Sequence, residues 1–315
     1  MPTVVISEFI DPAALEHFGE DYQIHNDPNL VDAPERLAEV CGSADALIVR
    51  NRTQVTRELL ESAPHLKVIG RLGVGLDNID MTACQDRGVT VCPATGANDV
   101  AVAEYVVAGA LMLLRGAYQS SHRVLAGEWP RQALTGGEVS GRVLGLVGFG
   151  GIARQTAERA AALGMEVLAH DPFVAADDPA WSGLAERCEA LSALLMRSDV
   201  VSLHVPYTET THHLIDAQAM ASMKPGAMLI NAARGGVVDE AALARSLCDR
   251  HLGGAMLDVF ENEPLPAGSP LSDAPNLIVT PHIAGVTGES NRRVSDLTVR
   301  NVISVLKGTD RDHDV

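Results

Sequence analysis

The sequence predicts an α/β protein of two doubly wound parallel-sheet domains with a cleft between them. Two observations carry this. Short apolar, β-branched runs alternate with longer amphipathic stretches, which is the pattern of βαβ units. The rhythm runs through the first hundred residues and restarts after residue 140. The strand-like runs also lack polar alternation, so both their faces are buried, as parallel sheets require. A length of 315 residues fits two domains at about 150 residues each.

In the first region the predicted strands are Thr3–Ser7, Ala46–Arg50, Lys67–Arg71 and Thr90–Pro93, with helices near Thr56–Ala63 and Met81–Arg87. A long helical stretch follows from about Asp99 to Leu114, then another to about Ala126. The second region offers Val143–Gly148, Glu166–Asp171, Val200–Val205, Ala227–Ala232, Ala255–Val259 and Leu277–Thr280. These six strands suffice for a complete dinucleotide-binding sheet. The chain closes with a helix from Glu289 to Leu306 and a polar tail, Gly308 to Val315.

Composition narrows the function. Twenty-four Lys and Arg against 41 Asp and Glu give a net charge of -17, opposed to the basic footprint that a nucleic-acid binder needs. The apolar run Tyr105–Leu114 falls short of the ~20 residues of a membrane span, and Arg115 ends it. Five cysteines, with no close ligand pair among them, fit reduced thiols in a cytoplasm and argue against a zinc site. The N-terminus, Met1 to Ser7, shows no basic segment of a secretory signal. Nucleic acid, membrane and metal are therefore not expected.

One glycine loop follows a strand and opens a helix: Gly145-Leu146-Val147-Gly148-Phe149-Gly150-Gly151-Ile152-Ala153. Gly148 allows a tight turn, Gly150 lets a pyrophosphate approach the backbone, and Ala153 keeps helix and sheet close. The helix then offers free N–H groups and a positive dipole end to the phosphates. Asp171 ends the next strand, 23 positions after Gly148, where a ribose 2′-OH partner belongs. Its carboxylate accepts from ribose hydroxyls and repels a 2′-phosphate, so NAD is expected over NADP. Gly70-Arg71-Leu72-Gly73-Val74-Gly75 has similar spacing but lacks the third small residue.

Three later strands end in residues that suit reduction of a 2-keto acid. Ala233-Arg234-Gly235-Gly236 follows one, Asp258 through Glu261-Asn262-Glu263-Pro264 a second, and His282-Ile283-Ala284-Gly285 a third. Arg binds a carboxylate with two parallel hydrogen bonds. His titrates nearest neutral pH and can protonate the forming alkoxide. A carboxylate behind the imidazole orients it and stabilises its charged form. Spacing alone does not choose between Glu261 and Glu263. His204, His212 and His213, near another strand end, read as structural.

These motifs resemble the D-isomer-specific 2-hydroxyacid dehydrogenase family, in particular its D-3-phosphoglycerate dehydrogenase branch. The resemblance runs through Gly70–Asp80, Gly148–Ile152, His204-Val205-Pro206, Asn231–Glu240, Leu257–Pro264 and Thr280–Gly285. It implies Arg234, Glu263 and His282 as the catalytic trio. Beside the motif glycines Gly148 and Gly150, it implies the Gly151 and Ile152 amides at the pyrophosphate and Asp171 at the adenosine ribose. Val205 and Pro206 line the adenine side, with Ala232, Asp258, His282 and Gly285 completing the cofactor set. The Gly73-Val74-Gly75 turn offers backbone N–H groups to the substrate carboxylate. It implies Rossmann-like or flavodoxin-like sheets in a split arrangement: residues 1–97 with 288–315 bind substrate, and residues 98–287 bind NAD. The helices from Asp99 to Ala126 resemble the arm through which the family forms homodimers. Gly151 stands where many relatives carry Arg. No regulatory domain follows the last helix, so serine feedback is not expected.

The substrate tail is read from Arg50-Asn51-Arg52-Thr53, at the end of a first-region strand. Two arginines there suit a second anionic group, and Asn98 resembles the family's substrate asparagine. A three-carbon acid with a C3 phosphate or sulfonate follows, 3-phosphoglycerate or 3-sulfolactate. If the arginines instead pair with acids of the chain, a hydroxypyruvate or glyoxylate reductase is the alternative. An NAD(H)-sensing corepressor-like binding protein is a further one.

Overall fold

A computed structural model describes residues 1–181 and 183–309. The chain divides into two compact units, Met1–Asn98 together with the segment from Val286, and Asp99–Gly285.

The first unit is built on five parallel strands: β1 (Thr3–Ile6), β2 (Gln23–Asn26), β3 (Ala46–Val49), β4 (Val68–Arg71) and β5 (Thr90–Pro93). Their order is β2-β1-β3-β4-β5. This is the flavodoxin-like order, which reverses between β1 and β3 and opens a binding crevice there. Helices α1 (Pro34–Cys41), α2 (Arg57–Ser62) and α3 (Met81–Asp86) connect the strands. Valine, isoleucine and leucine of β1, β3 and β4 divide between two apolar cores, one on each face of the sheet. The C-terminal helix, Gly288–Lys307, covers the face that Gly70 leaves open. A Cβ at Gly70 would lie 2.7 Å from methyl groups of Thr298 and Val302. Thr287 starts that helix with a reciprocal capping box to Ser290.

The second unit begins with α4 (Asp99–Arg115) and α5 (Ser121–Leu125) and then forms a seven-stranded sheet. Its strands are β6 (Val143–Val147), β7 (Glu166–His170), β8 (Glu186–Arg187), β9 (Val200–Leu203), β10 (Met228–Asn231), β11 (Gly254–Leu257) and β12 (Leu277–Val279). The order β12-β11-β10-β9-β6-β7-β8 is the Rossmann order with one strand added, and it reverses between β6 and β9. Every pair is parallel. Helices α6 (Gly151–Ala162), α7 (Leu191–Arg197), α8 (Ala217–Ser222) and α9 (Glu240–Cys248) form the crossovers; the C-terminal helix of the first unit is α10.

Two strands go beyond the sequence expectation, β2 and β8. Both are edge strands with half-exposed, polar patterns, so neither reads as an apolar run. The polar tail expected from Gly308 lies, beyond Thr309, outside the described residues.

Candidate active site

In the second unit the loops after three adjacent strands carry the catalytic candidates. Asn231, buried at the end of β10, shapes the first loop. Its Oδ1 accepts from Ala233 N at 3.1 Å and its Nδ2 donates to the Arg234 carbonyl at 2.8 Å. Gly235 allows this loop to press on the next, since a Cβ there would overlap the Phe260 carbonyl. The second loop, after β11, holds Glu263 through Phe260 N, 3.1 Å from Oε1. The third, after β12, presents His282, whose Nδ1 lies 2.8 Å from Glu263 Oε2.

An ionised carboxylate only accepts, so the His282 proton on this side sits on Nδ1 and leaves Nε2 facing away from the acid. Burial raises the Glu263 carboxyl, but the His282 hydrogen bond and charge, the Phe260 amide and the Arg234 guanidinium outweigh it. They hold Glu263 below the usual carboxylate range. Glu261 faces elsewhere: its Oε1 meets His213 Nε2 at 3.0 Å and accepts from Glu240 N at 3.3 Å. Geometry thus separates the two glutamates that spacing left open.

His282 has φ +55°, a left-handed conformation unusual for a side chain with a Cβ. Asp258 holds it there. The Asp258 carbonyl accepts from His282 N at 2.8 Å, Oδ1 from Ile283 N at 2.8 Å, and Oδ2 from Ala284 N at 2.7 Å. Thr280 Oγ1 donates to Oδ1 at 2.6 Å, so Tyr105 of α4 must donate to Thr280 at 2.5 Å. Burial above all raises the Tyr105 phenol to about 12, which keeps that proton in place. Sequence reasoning singled out Asp258 but not Tyr105 or Thr280; the signal for those two is their place on α4 and at the end of β12.

The glycine loop sits at the order reversal of this sheet. Gly148 has φ +93°, and a Cβ there would lie 2.8 Å from the His204 carbonyl. A Cβ at Gly150 would meet nothing within 4 Å, so the space above it is open to a ligand. No side chain caps α6, which leaves its first amides, Gly151 and Ile152, to a bound anion. Asp171 is tied to this loop: Oδ2 accepts from Phe149 N at 2.8 Å and Oδ1 from Phe173 N at 2.9 Å. Val205 and Pro206 follow β9 across the reversal, Ala232 follows β10, and Gly285 closes the His282 turn. These residues fit a dinucleotide laid from β7 toward β12. Desolvation pushes His204 down to about 4, and its Nε2 lies 3.0 Å from Ser202 Oγ.

In the first unit Arg50 and Arg52 lie just past β3, at that sheet's own order reversal. A buried glutamate absent from the sequence expectation, Glu8, shapes their loop. It accepts from the amides of Arg50 (2.8 Å), Thr53 (2.9 Å) and Arg52 (3.2 Å). Its signal was a charged residue two positions after β1. The two arginines then part. Arg52 ion-pairs with Asp32. Arg50 instead donates to the neutral Asn291 Oδ1 at 2.6 Å and lies over the Phe9 ring, 5.8 Å from its centroid. Among the described residues no carboxylate forms a salt bridge with Arg50.

Gly73 has φ +147°, and a side chain there would collide with the Arg71 guanidinium. Past it, the amides of Val74 and Gly75 donate to no acceptor among the described residues. The Asn98 Oδ1 is buried and likewise has no partner.

Comparison with known proteins agrees with this geometry. Residues 107–284 match the model of the D-isomer specific 2-hydroxyacid dehydrogenase, NAD binding domain. The chain belongs to that family, and its second unit carries the family's NAD-binding domain. The chain is 62% identical over 306 residues to the (S)-sulfolactate dehydrogenase of Chromohalobacter salexigens, covering 97% of this chain and 99% of that one. It is 38% identical over 310 residues to the D-3-phosphoglycerate dehydrogenase of Mycobacterium bovis, where it spans 98% of itself but 57% of that relative. The TT0316 protein of Thermus thermophilus superposes with a TM-score of 0.89 at 34% identity, over 99% of both chains. Among the described residues no helix is long and apolar enough to cross a membrane, and no cluster of His, Cys, Asp or Glu suits a metal.

Proposed function

We propose that this chain is an NAD-dependent dehydrogenase of a three-carbon 2-hydroxy acid with an anionic C3 group, of the sulfolactate type. Bound along the glycine loop, NAD(H) supplies or accepts the hydride. His282 gives its Nε2 proton to the forming C2 oxygen in reduction and takes it back in oxidation. Glu263 keeps Nδ1–H oriented and favours the imidazolium. General acid catalysis of this kind contributes ~10²–10⁴-fold. Arg234 takes the substrate carboxylate as a two-pronged donor. The first unit offers the same chemistry in the Val74 and Gly75 amides and the side chain of Asn98.

Arg50 carries the substrate reading. It is a cation at a sheet's binding crevice whose guanidinium bonds a neutral amide and lies over an aromatic face; Glu8 acts on it through space but makes no salt bridge with it, so its donors remain available to an anion. An identity of 62% to a relative named (S)-sulfolactate dehydrogenase supports a sulfonate as that ligand. Arg52 is paired with the exposed Asp32, which favours Arg50 over it as the direct reader. A homodimer through α4 and α5 fits the strong exposure of Leu125 (88%) and Trp129 (75%).

The test is NADH oxidation with 3-sulfopyruvate, 3-phosphohydroxypyruvate, hydroxypyruvate and glyoxylate, on wild type and Arg50→Met. A C3-anionic acid should be the best substrate. Arg50→Met should raise its KM about 10- to 100-fold, as for a lost hydrogen bond to a charged group, with hydroxypyruvate little changed. Faster turnover of uncharged tails would make the protein a hydroxypyruvate or glyoxylate reductase. No turnover by protein that binds NADH would favour a dinucleotide-sensing role.

A further inference from the structure

The first residues of α4 and α6 meet in the second unit. A Cβ on Gly151 would overlap Asp99 Oδ2 and lie 3.3 Å from Asp99 Cγ. The aspartate therefore fills the ground that a side chain at position 151 would need. Its carboxylate accepts no hydrogen bond among the described residues. It lies against Gly151, the first residue of α6, whose amide no side chain caps and which directly follows Gly150. The nearby cations are turned elsewhere. Arg154 Nε donates to the Phe149 carbonyl at 2.9 Å, and Arg159 lies 3.9 Å from Glu104.

A helix start with free amides favours an anion, and a fixed carboxylate beside it disfavours one. The two features oppose each other at one point. We propose that Asp99 limits dinucleotide affinity: its negative charge stands beside the pyrophosphate position and speeds NAD(H) release. This rests on the reading that the glycine loop seats the pyrophosphate. Product release often limits turnover, so a repulsive residue here raises the rate of cycling at some cost in affinity. Gly151 then has a definite role, since any larger residue would push the carboxylate away. Burial raises the Asp99 carboxyl, in keeping with a charge that lacks a partner.

The experiment is titration of the full-length protein with NADH and with adenosine, which lacks the pyrophosphate, at low and high salt. The variants are Asp99→Asn and Asp99→Ser, the second retaining a residue that favours helix starts. Stopped-flow displacement gives the NADH release rate. Both variants should lower the NADH Kd about 3- to 10-fold and slow release to match, with the gain shrinking as salt screens the charge. Adenosine binding should not change. An unchanged or weaker NADH Kd, or equal tightening of adenosine, overturns the proposal. Gly148→Ala separates the two readings. If it weakens NADH about tenfold or more while Asp99→Asn is silent, the loop assignment stands and Asp99 has no such role. If neither change alters NADH binding, both readings fall.

Discussion

Replacing Asp258 with Asn removes one acceptor from a carboxylate that takes three hydrogen bonds on its oxygens. The new amide group costs least when it faces Ala284 N, since the other oxygen serves two donors. One buried N–H then meets another donor, at about 1–3 kcal/mol. The two remaining bonds lose their charge, at roughly 1 kcal/mol each. The total is about 3–5 kcal/mol, in a side chain that is 1% exposed. For a unit of this size each kcal/mol moves Tm by roughly 2–4 °C, so the melting temperature should fall by about 6–20 °C. The same change loosens the left-handed His282 turn. A misplacement of about 1 Å costs up to ~10²-fold in rate. Calorimetry with parallel measurement of kcat/KM checks both. A variant as stable and as active as wild type would refute the claim that Asp258 holds the catalytic turn.

Glu263→Gln should leave NADH binding intact and lower kcat in the reductive direction by about 10-fold or more, because the imidazolium loses its counter-charge. His282→Gln should remove the whole general-acid factor, ~10²–10⁴-fold in kcat, while NADH still binds in a fluorescence titration. His204 titrates near 4 in the folded chain against 6.5 in the unfolded one. Its folded pKa is depressed, so its contribution is complete above about pH 6.5 and is lost as pH falls toward 4. Urea denaturation should show stability declining across that window, with a shallower decline in His204→Gln.

The parallel strands were legible because their residues are buried on both faces. Val4-Val5-Ile6 and Leu47-Ile48-Val49 carry that in their composition. Edge strands β2 and β8 were not, because half of each faces solvent. Strand order is a property of crossovers, and no local run encodes it. At the site, residue types at strand ends pointed to Arg234, His282 and one of Glu261 and Glu263, and the family resemblance implied Glu263. The choice between Glu261 and Glu263 depends on which way two side chains two positions apart turn in a loop, and here one meets His213 and the other His282. The same limit applied to Arg50 and Arg52. Only three-dimensional neighbours reveal that one guanidinium ion-pairs with an acid and the other bonds an amide. Glu8 escaped notice because a single glutamate after a strand is indistinguishable in sequence from a solvated one.

Glu8 also separates two jobs that loops often combine. Its carboxylate grips the backbone of residues 50, 52 and 53, not their side chains. This hold on the backbone does not depend on what side chain residue 50 carries. If Arg50 has the proposed role, the side chain that reads a ligand's tail can be exchanged while the backbone beneath it keeps its hold on Glu8. New tail preferences then become reachable through single substitutions at one position.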